Sequence, residues 1–454
     1  PDQSPYVDLH SRFAGGTAES MEAYLPVAVM DPKVVDWLKR ATVAGQLEWG
    51  TLQLTGPLAR FPFDHNEGRF RLELQIREGI LDYAPQRQHQ AQQPEMLDAE
   101  NQANQLRWPR LEEIDAALVF SGRSLDIELA TGRILNTELT SGQGRIANLW
   151  KPEVMEILTV GQGPLDDGLR VLGETPLSVQ VGAIPRILSA QGQGRLELGM
   201  AVPLKKDLIF GFSGQLDFQE GASVRIQQPG FGVSASDRED DFANARIATG
   251  GDPAPDQQLV LTDLQGGLSF DNSGLSAEDL SARSQDAPAQ IRIQTLDPGA
   301  PKSRTQITAQ SRSSVEQLAA RLPSPVWSSL SGSTDWQLQL GIRNAQAARS
   351  QPTVDWTLRS DLRGLAVSAP APLAKSGNEP RDFQLTGRLE PQAPFAVDID
   401  YGPMQGALIQ APDGWSLAIN APSQKGRLRW IQGQTRDQLV LELDRFDLKP
   451  ALEA

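Results

Sequence analysis

Residues 69–77 have the sequence RFRLELQIR, in which apolar side chains alternate with charged or amide side chains. Phe70, Leu72, Leu74 and Ile76 share one face of an extended chain, because successive side chains of a β-strand point to opposite faces. Strict alternation of this kind predicts strands with one apolar and one polar face. The same pattern returns in six later stretches: 125–129, 196–202, 208–212, 336–342, 395–401 and 439–443.

Turn-forming residues separate these stretches, as in DNSG at 271–274 and APDG at 411–414. Glycine, proline, asparagine and aspartate at such points are typical of short connections between antiparallel strands. The chain is therefore predicted to be mainly β. We expect an elongated, twisted, mostly antiparallel sheet that is curved into an open hydrophobic groove, with a few short helices.

Three short helices are predicted. Asp31 and Pro32 supply an N-cap and a first-turn proline before an apolar stripe that includes Trp37 and Leu38, which we expect to be buried. Residues 165–173 and 313–322 are the other two helices. Each helix leads to a glycine and then to an alternating strand, which indicates a degenerate long repeat. We expect one continuous segment over 1–454, with approximate sub-segments 1–160, 161–305 and 306–454.

Two stretches interrupt the strand pattern. Residues 86–106 are rich in glutamine and asparagine, and residues 236–258 contain the acidic run DREDD. Strand patterning resumes directly on both sides of each stretch. Both are therefore predicted to be mobile loops within the sheet rather than linkers between domains.

The composition excludes several classes of function. The 42 basic and 57 acidic residues give a net charge of −15, which argues against nucleic acid as a partner. The absence of cysteine excludes disulfides and thiolate chemistry. No stretch approaches the roughly 20 apolar residues that span a bilayer. The first residues, PDQSP, contain no export signal, so we expect a segment of a longer protein whose anchor lies elsewhere.

Residues with catalytic potential are few and scattered. The three histidines, His10, His65 and His89, have no suitable neighbours in sequence, and no nucleophile elbow or phosphate-binding loop is present. The glycine pairs at 142/144 and 161/163 are interpreted as turns. Asp398 and Asp400 share a strand face as a glycosidase pair would, but exposed strands often carry such pairs. We predict no catalytic residue, no metal site and no cofactor.

The apolar strand faces are the remaining feature of the sequence. They would form an ordinary core in a closed sandwich. However, aromatic residues make up only 6% of the chain, and no compact sandwich domains with clear linkers can be separated. An open groove with an aliphatic wall, suited to lipid acyl chains, fits better. The candidate lining residues are Leu72, Leu74, Leu198, Met200, Phe210, Leu338, Leu340, Val397, Ile399 and Leu441.

Several short motifs resemble one family in content and order. They include YLP at 24–26, DWL at 36–38, FPF at 61–63, LDY at 81–83 and WP at 108–109, followed by SDLRGL at 360–365 and Lys375. In this order they resemble the YhdP-like proteins of the AsmA-like superfamily, over nearly the whole chain. The loops 86–106 and 236–258 depart from the family pattern, and both fall between strands.

This resemblance implies a periplasmic segment of a protein anchored in the inner membrane of a Gram-negative bacterium. It implies phospholipid transport through a β-groove toward the outer membrane, which would maintain outer-membrane lipid balance and barrier function. Phospholipid acyl chains would be the bound partners, and contacts with the two membranes would lie outside this chain. Two alternatives stay open. One is a structural β-solenoid or interaction scaffold without ligand, and the other is a periplasmic glycan-active enzyme.

Overall fold

The structure is a computed structural model that describes residues 5–25, 27, 30–85, 108–175, 188–205, 207–226, 259–284, 287–298, 303–321, 325–343, 354–369, 373–389, 395–411, 414–421, 424–431 and 438–446. Strands account for 67% of the structure and helices for 11%. The predicted mainly β class, with an antiparallel sheet and few short helices, is confirmed. The predicted loops 86–106 and 236–258 lie outside the described residues.

The strands are long and follow one another closely. The first twelve are β1 (Tyr6–Phe13), β2 (Gly16–Thr17), β3 (Thr42–Pro57), β4 (Arg69–Leu81), β5 (Leu111–Ser121), β6 (Ser124–Ile134), β7 (Thr137–Ile146), β8 (Val154–Pro164), β9 (Leu188–Gln191), β10 (Gln193–Pro203), β11 (Gly211–Phe218) and β12 (Ser223–Ile226). The next are β13 (Leu259–Asp271), β14 (Gly274–Ser284), β15 (Ala287–Leu296), β16 (Arg304–Ser314), β17 (Leu330–Arg343), β18 (Val354–Ser360), β19 (Leu365–Val367), β20 (Phe383–Leu389), β21 (Ala396–Tyr401), β22 (Met404–Ala411), β23 (Gly414–Asn420), β24 (Gln424–Ile431) and β25 (Gln438–Phe446). The helices are α1 (Pro32–Ala41), α2 (Leu165–Glu174) and α3 (Val315–Arg321), with 3₁₀ turns at Met21–Tyr24, Leu58–Arg60 and Pro325–Ser329.

The chain forms two compact units. The first comprises Pro1–Gln180, Gln191–Gln219 and Gly267–Asn272, and the second comprises Val181–Ala190, Glu220–Gly266 and Ser273–Ala454. Strand β13 therefore contributes residues to both. The threefold division into sub-segments remains a prediction.

Each unit contains an antiparallel ladder in which neighbours in sequence are mostly neighbours in space. In the first unit the order is β1-β3-β4-β5-β6-β7-β8-β10-β11, with β2 paired to the start of β3. In the second unit the order is β14-β15-β16-β17-β18-β20-β21-β22-β23-β24-β25. The short strand β19 pairs with the start of β17. Such local connections follow from the short turns between alternating stretches.

The three predicted helices are confirmed. The Asp31 side chain accepts a hydrogen bond of 2.8 Å from the Lys33 amide, and Pro32 occupies the first turn of α1. Helix α1 leads directly into β3, α2 precedes β9 and β10, and α3 precedes β17. No helix among the described residues is long and apolar enough to cross a membrane.

The prediction that Trp37 and Leu38 are buried is wrong in the extent of burial. Both side chains are half-buried, whereas Val35 and Ala41 are the buried residues of α1. The Trp37 indole N–H donates to the Tyr83 carbonyl oxygen at 3.3 Å, so the ring packs on the end of β4. It also borders an open cleft of about 490 Å³ beside Tyr83. Burial in this cleft raises the pKa of the Tyr83 phenol to about 12.

The glycine pairs at 142/144 and 161/163 do not form turns, and that interpretation is wrong. They lie within β7 and β8 and face the apolar side of the sheet. A Cβ atom on Gly142 would lie 3.1 Å from the Leu129 Cβ, and one on Gly161 would lie 3.1 Å from Leu139 Cδ2. The missing side chains let neighbouring leucines cover the backbone, which is a usual reason for glycine inside a strand.

Candidate functional site

Apolar side chains in the first unit form rows that run across the strands. A row here means a set of residues that are partners in the register of successive strands, all on one face. We name the three rows after their members Leu72, Leu74 and Leu198. The Leu72 row contains Leu52, Leu72, Phe120, Leu125, Ile146, Met155 and Val202. The Leu74 row contains Phe13, Gly50, Leu74, Leu118, Ile127, Gly144, Ile157, Met200 and Phe212. The Leu198 row contains Leu47, Ile76, Ala116, Leu129, Gly142, Thr159, Leu198 and Gly214.

Two rows of the same kind cross the eleven-stranded ladder of the second unit. The Val397 row contains Ala277, Ile293, Ile307, Leu340, Trp356, Gly387, Val397, Leu408, Leu417, Leu428 and Leu441. The Ile399 row contains Leu280, Ile291, Ala309, Leu338, Leu358, Leu385, Ile399, Gly406, Ile419, Gly426 and Leu443. Both rows lie on the same face of the sheet. In each strand the Val397-row residue and the Ile399-row residue are two positions apart, except in β14, where a bulge separates Ala277 from Leu280.

The opposite face of the second unit is mostly polar or small-chained. The row that lies between the Val397 and Ile399 rows in register contains Arg292, Thr308, Gln339, Thr357, Thr386, Asp398, Ala407, Ala418, Arg427 and Glu442. On the same face, Arg343 and Arg388 donate to the Asp355 carboxylate at 2.8 and 2.6 Å. Burial raises the pKa of Asp355, but the hydrogen bonds from these arginines outweigh it and hold the pKa below its usual range.

The apolar rows are only partly covered by protein. Leu72, Leu74, Leu198, Leu338 and Leu340 are all half-buried. Burial changes along a row, from 6% exposure at Val397 to 61% at Leu441. A sheet with a polar face in water and an aliphatic face that is partly open to solvent offers a binding surface for apolar molecules.

An aromatic ring fills the space at some of the places where glycine interrupts a row. The Trp356 ring lies over its cross-strand partner Gly387, so that a Cβ on this glycine would be 2.6 Å from Trp356 Cζ2. The Phe13 ring lies over Gly50 in the same way. Stacking an aromatic ring on a cross-strand glycine keeps the apolar surface continuous.

The structure places nine of the ten candidate lining residues in these rows. Leu72, Leu74, Leu198 and Met200 belong to the first-unit rows, while Leu338, Leu340, Val397, Ile399 and Leu441 belong to the second-unit rows. Their role in binding remains a prediction.

Phe210 is the exception, because residues 208–210 do not continue the alternating strand predicted at 208–212. Strand β11 begins at Gly211, and the Phe210 carbonyl accepts a hydrogen bond from the Asn272 side chain at 2.9 Å. Leu208 and Ile209 are exposed. The Phe210 ring stacks on Phe212 with centroids 5.9 Å apart, so it extends the end of the Leu74 row.

Many row members were missed by the sequence analysis, among them those on β18, β20, β22 and β23. Val354, Trp356 and Leu358 alternate within β18, and Phe383, Leu385 and Gly387 alternate within β20. These stretches are seven residues long, and glycine replaces one apolar position in β20. A search for shorter alternating stretches, in which glycine counts as an apolar position, would have identified them.

The described residues show no site that favours catalysis. No group of three or more His, Asp or Glu side chains among them is placed to hold a metal ion. Asp398 lies on the exposed polar face, and Asp400 accepts a hydrogen bond from Gln405 at 3.3 Å. The buried Lys375 donates to the carbonyl oxygens of Leu362 and Leu365, both at 2.7 Å, and thereby holds the loop after β18. Burial lowers the pKa of this ammonium group.

Comparison with known proteins identifies the family of the chain. The chain is 24% identical over 398 residues to the intermembrane phospholipid transporter YhdP of Escherichia coli strain K12. That alignment covers 85% of this chain and 27% of the relative, so the chain spans about a quarter of the relative's length. No solved structure matches the chain. A sequence profile of the YhdP protein family matches residues 1–252 and 251–448, which is nearly the whole chain, and the chain therefore belongs to the YhdP family.

Proposed function

We propose that this chain binds phospholipids by their acyl chains and forms part of a path along which they move between two membranes. The observation that carries the proposal is the continuity of the apolar rows. The Val397 row runs without a charged side chain from Ala277 on β14 to Leu441 on β25. The family relationship supports the same role, because the Escherichia coli relative is an intermembrane phospholipid transporter.

The physical basis is passive binding. Each methylene group that leaves water for the aliphatic face contributes about 0.8 kcal/mol. Where a row is open to solvent, it offers similar aliphatic side chains on successive strands spaced about 4.8 Å apart, so a bound chain meets a similar surface at each step. Such a surface retains a lipid on the sheet but opposes its sliding only weakly.

This role requires no catalytic residue and no cofactor, and we propose that the chain is not an enzyme. We further propose that it is a periplasmic segment of a longer protein anchored in the inner membrane. The polar face would meet the aqueous compartment, and parts of the protein beyond this chain would contact the membranes.

Lipid extraction tests the proposal. The purified 454-residue chain is extracted with organic solvent, and lipids are quantified by mass spectrometry. We expect phospholipid at more than trace level in the unmodified chain, less in Leu340→Asp, and an unchanged amount in Gln339→Asp. Leu340 and Gln339 are neighbours on opposite faces of β17. A folded chain that contains no lipid would favour the ligand-free scaffold instead.

A further inference from the structure

The two ends of the strands in the first unit are built differently. At one end, which we call the helix rim, α1 enters β3 and α2 follows β8. At the other end, the loop rim, lie the connections between successive strands at 58–68, 122–123, 147–153, 204–205 and 207–210. The register of the antiparallel strands fixes which connections share a rim.

At the helix rim, helix α2 is held in place by specific contacts. The buried Asp167 of α2 accepts hydrogen bonds from the Asn136 amide at 2.7 Å and the Asn136 side chain at 3.0 Å. Its carboxylate also accepts from the Thr137 hydroxyl at 3.1 Å. These bonds hold α2 on the β6–β7 turn, and Leu165 at the start of the helix is buried. A lipid headgroup at the α2 end of this rim would have to displace a hydrogen-bonded helix.

The loop rim exposes an aromatic cluster that is continuous with the apolar face. Phe70 lies on β4 two residues from Leu72, and its ring centroid is 5.1 Å from that of Phe61. The Phe61 ring is in turn 5.8 Å from Trp150, which is 47% exposed. An apolar path therefore leads from the Leu72 row to the surface and ends at a tryptophan, a side chain suited to the boundary between apolar and aqueous surroundings.

Charged side chains of both signs surround the exposed end of this path. The Arg123 guanidinium lies 5.3 Å from the centre of the Trp150 ring. Its Nε donates to Asp64 Oδ1 at 2.6 Å, and its Nη2 donates to Asp64 Oδ2. On the same rim, Lys205 donates to Glu153 at 2.6 Å. Arginine has further N–H donors, and each carboxylate oxygen has a second lone pair, so Arg123 can donate and Asp64 can accept another hydrogen bond.

We propose that the loop rim of the first unit binds the headgroup of a zwitterionic phospholipid whose acyl chains lie on the Leu72 row. The inference rests on the proposed function and adds to it the orientation and headgroup class of the lipid. Trp150 contacts the glycerol region, Arg123 donates to the phosphate, and Asp64 accepts from the ammonium group. A site with both charges paired complements a headgroup that carries both charges, whereas an anionic headgroup without an ammonium group leaves the second acceptor capacity of Asp64 unused.

Photolabelling of the full chain with two versions of one lipid tests the orientation. Phosphatidylethanolamine carries a diazirine either next to the ester or at the methyl end of an acyl chain, and labelled peptides are mapped by mass spectrometry. We expect the ester-end probe to label residues 58–68 and 147–153 and the methyl-end probe to label strands away from this rim. Ester-end labelling of α1 or α2 instead would overturn the inference. Failure of both probes to label the chain would contradict the proposed function itself.

Charge variants test the headgroup class. Vesicles contain equal parts of phosphatidylethanolamine and phosphatidylglycerol, each with the ester-end probe. Asp64→Asn should raise labelling by phosphatidylglycerol relative to phosphatidylethanolamine by about tenfold, because a charge-assisted contact is replaced by an unopposed cation. Arg123→Gln should lower labelling by both lipids.

Glu113→Gln is the matched control, since Glu113 accepts from Arg133 at 2.7 Å at the helix rim. This variant should leave the ratio of the two lipids unchanged. An unchanged ratio in Asp64→Asn, in a chain that still melts like the unmodified one, would contradict the assignment of Asp64 to the ammonium group.

Discussion

The two ends of the rows in the second unit differ in how deeply they are buried. On β14, Leu280 of the Ile399 row is 2% exposed, and on β15 Ile291 of the same row is 6% exposed. On β25, Leu443 of this row is 51% exposed and Leu441 of the Val397 row is 61% exposed. Alternation in sequence selects the face of each strand, but the surrounding chain decides whether that face is core or open surface. One row therefore serves as packed interior at one end and as accessible wall at the other.

The largest expected effect is a charge in the buried part of a row. Val397→Asp should lower the free energy of unfolding by about 3–5 kcal/mol, because the carboxylate loses water and gains no partner. Ala396→Asp, on the exposed side of the same strand, should change it by less than about 1 kcal/mol. Urea denaturation measures both variants. Equal losses would mean that the two faces of β21 do not differ in burial.

A smaller difference is expected when apolar side chains are shortened. Leu280→Ala should cost about 2–4 kcal/mol, since it leaves a cavity in a packed site. Leu443→Ala should cost under about 1 kcal/mol because its side chain already meets solvent. The urea concentrations at the two denaturation midpoints compare the losses in free energy of unfolding, provided that the dependence of this free energy on urea has the same slope in both variants. A cost at Leu443 as large as at Leu280 would show that the β25 end of the row is covered by protein.

Adding a methyl group under an aromatic ring should lower the free energy of unfolding by an intermediate to small amount. Gly387→Ala forces the Trp356 ring to move and should cost about 1–3 kcal/mol. Gly341→Ala is the control, since the nearest atom to its Cβ would be the Asp355 carbonyl oxygen at 3.8 Å. Thermal melting and tryptophan fluorescence follow stability and ring position together. Unaltered fluorescence in Gly387→Ala would contradict the contact.

The smallest expected effect is the loss of one ion-pair contribution to stability at acidic pH. The pKa of Asp355 is lowered in the folded chain, so its ion pairs stabilise the fold above the unfolded pKa of about 3.9. This stabilisation is lost as the pH falls through the lower folded pKa. Asp355→Asn should therefore lower the melting temperature near about pH 6 and have progressively less effect toward about pH 3. A difference that stays constant over this range would contradict the ion-pair account.

The sequence predicted the strand faces well because the period of two is a local property. Residues 69–77 and 336–342 showed it directly, and nine of ten candidate lining residues fall in rows. The helix α1 was also predicted from local chemistry, namely the Asp31 cap and Pro32. Neither inference needs knowledge of distant contacts.

Other features depend on contacts between strands and were not predictable. The pairing of β3 with β4 shifts register at several points, and a shift changes which residues meet across the sheet. The glycines of β7 and β8 were mistaken for turns because their covering residues, such as Leu129, lie on other strands. The half-exposure of Trp37 and the burial of Lys375 likewise depend on segments distant in sequence.

The measurement that tests the central claim most directly is a photocrosslinking scan along β17. A photoreactive amino acid replaces each residue from 336 to 343 in turn, and crosslinks to phospholipid acyl chains are quantified. The account predicts high yield at 336, 338, 340 and 342 and low yield at the intervening positions, because only the former lie on the apolar face. Equal yields at successive residues, or crosslinks confined to the Gln339 face, would contradict it.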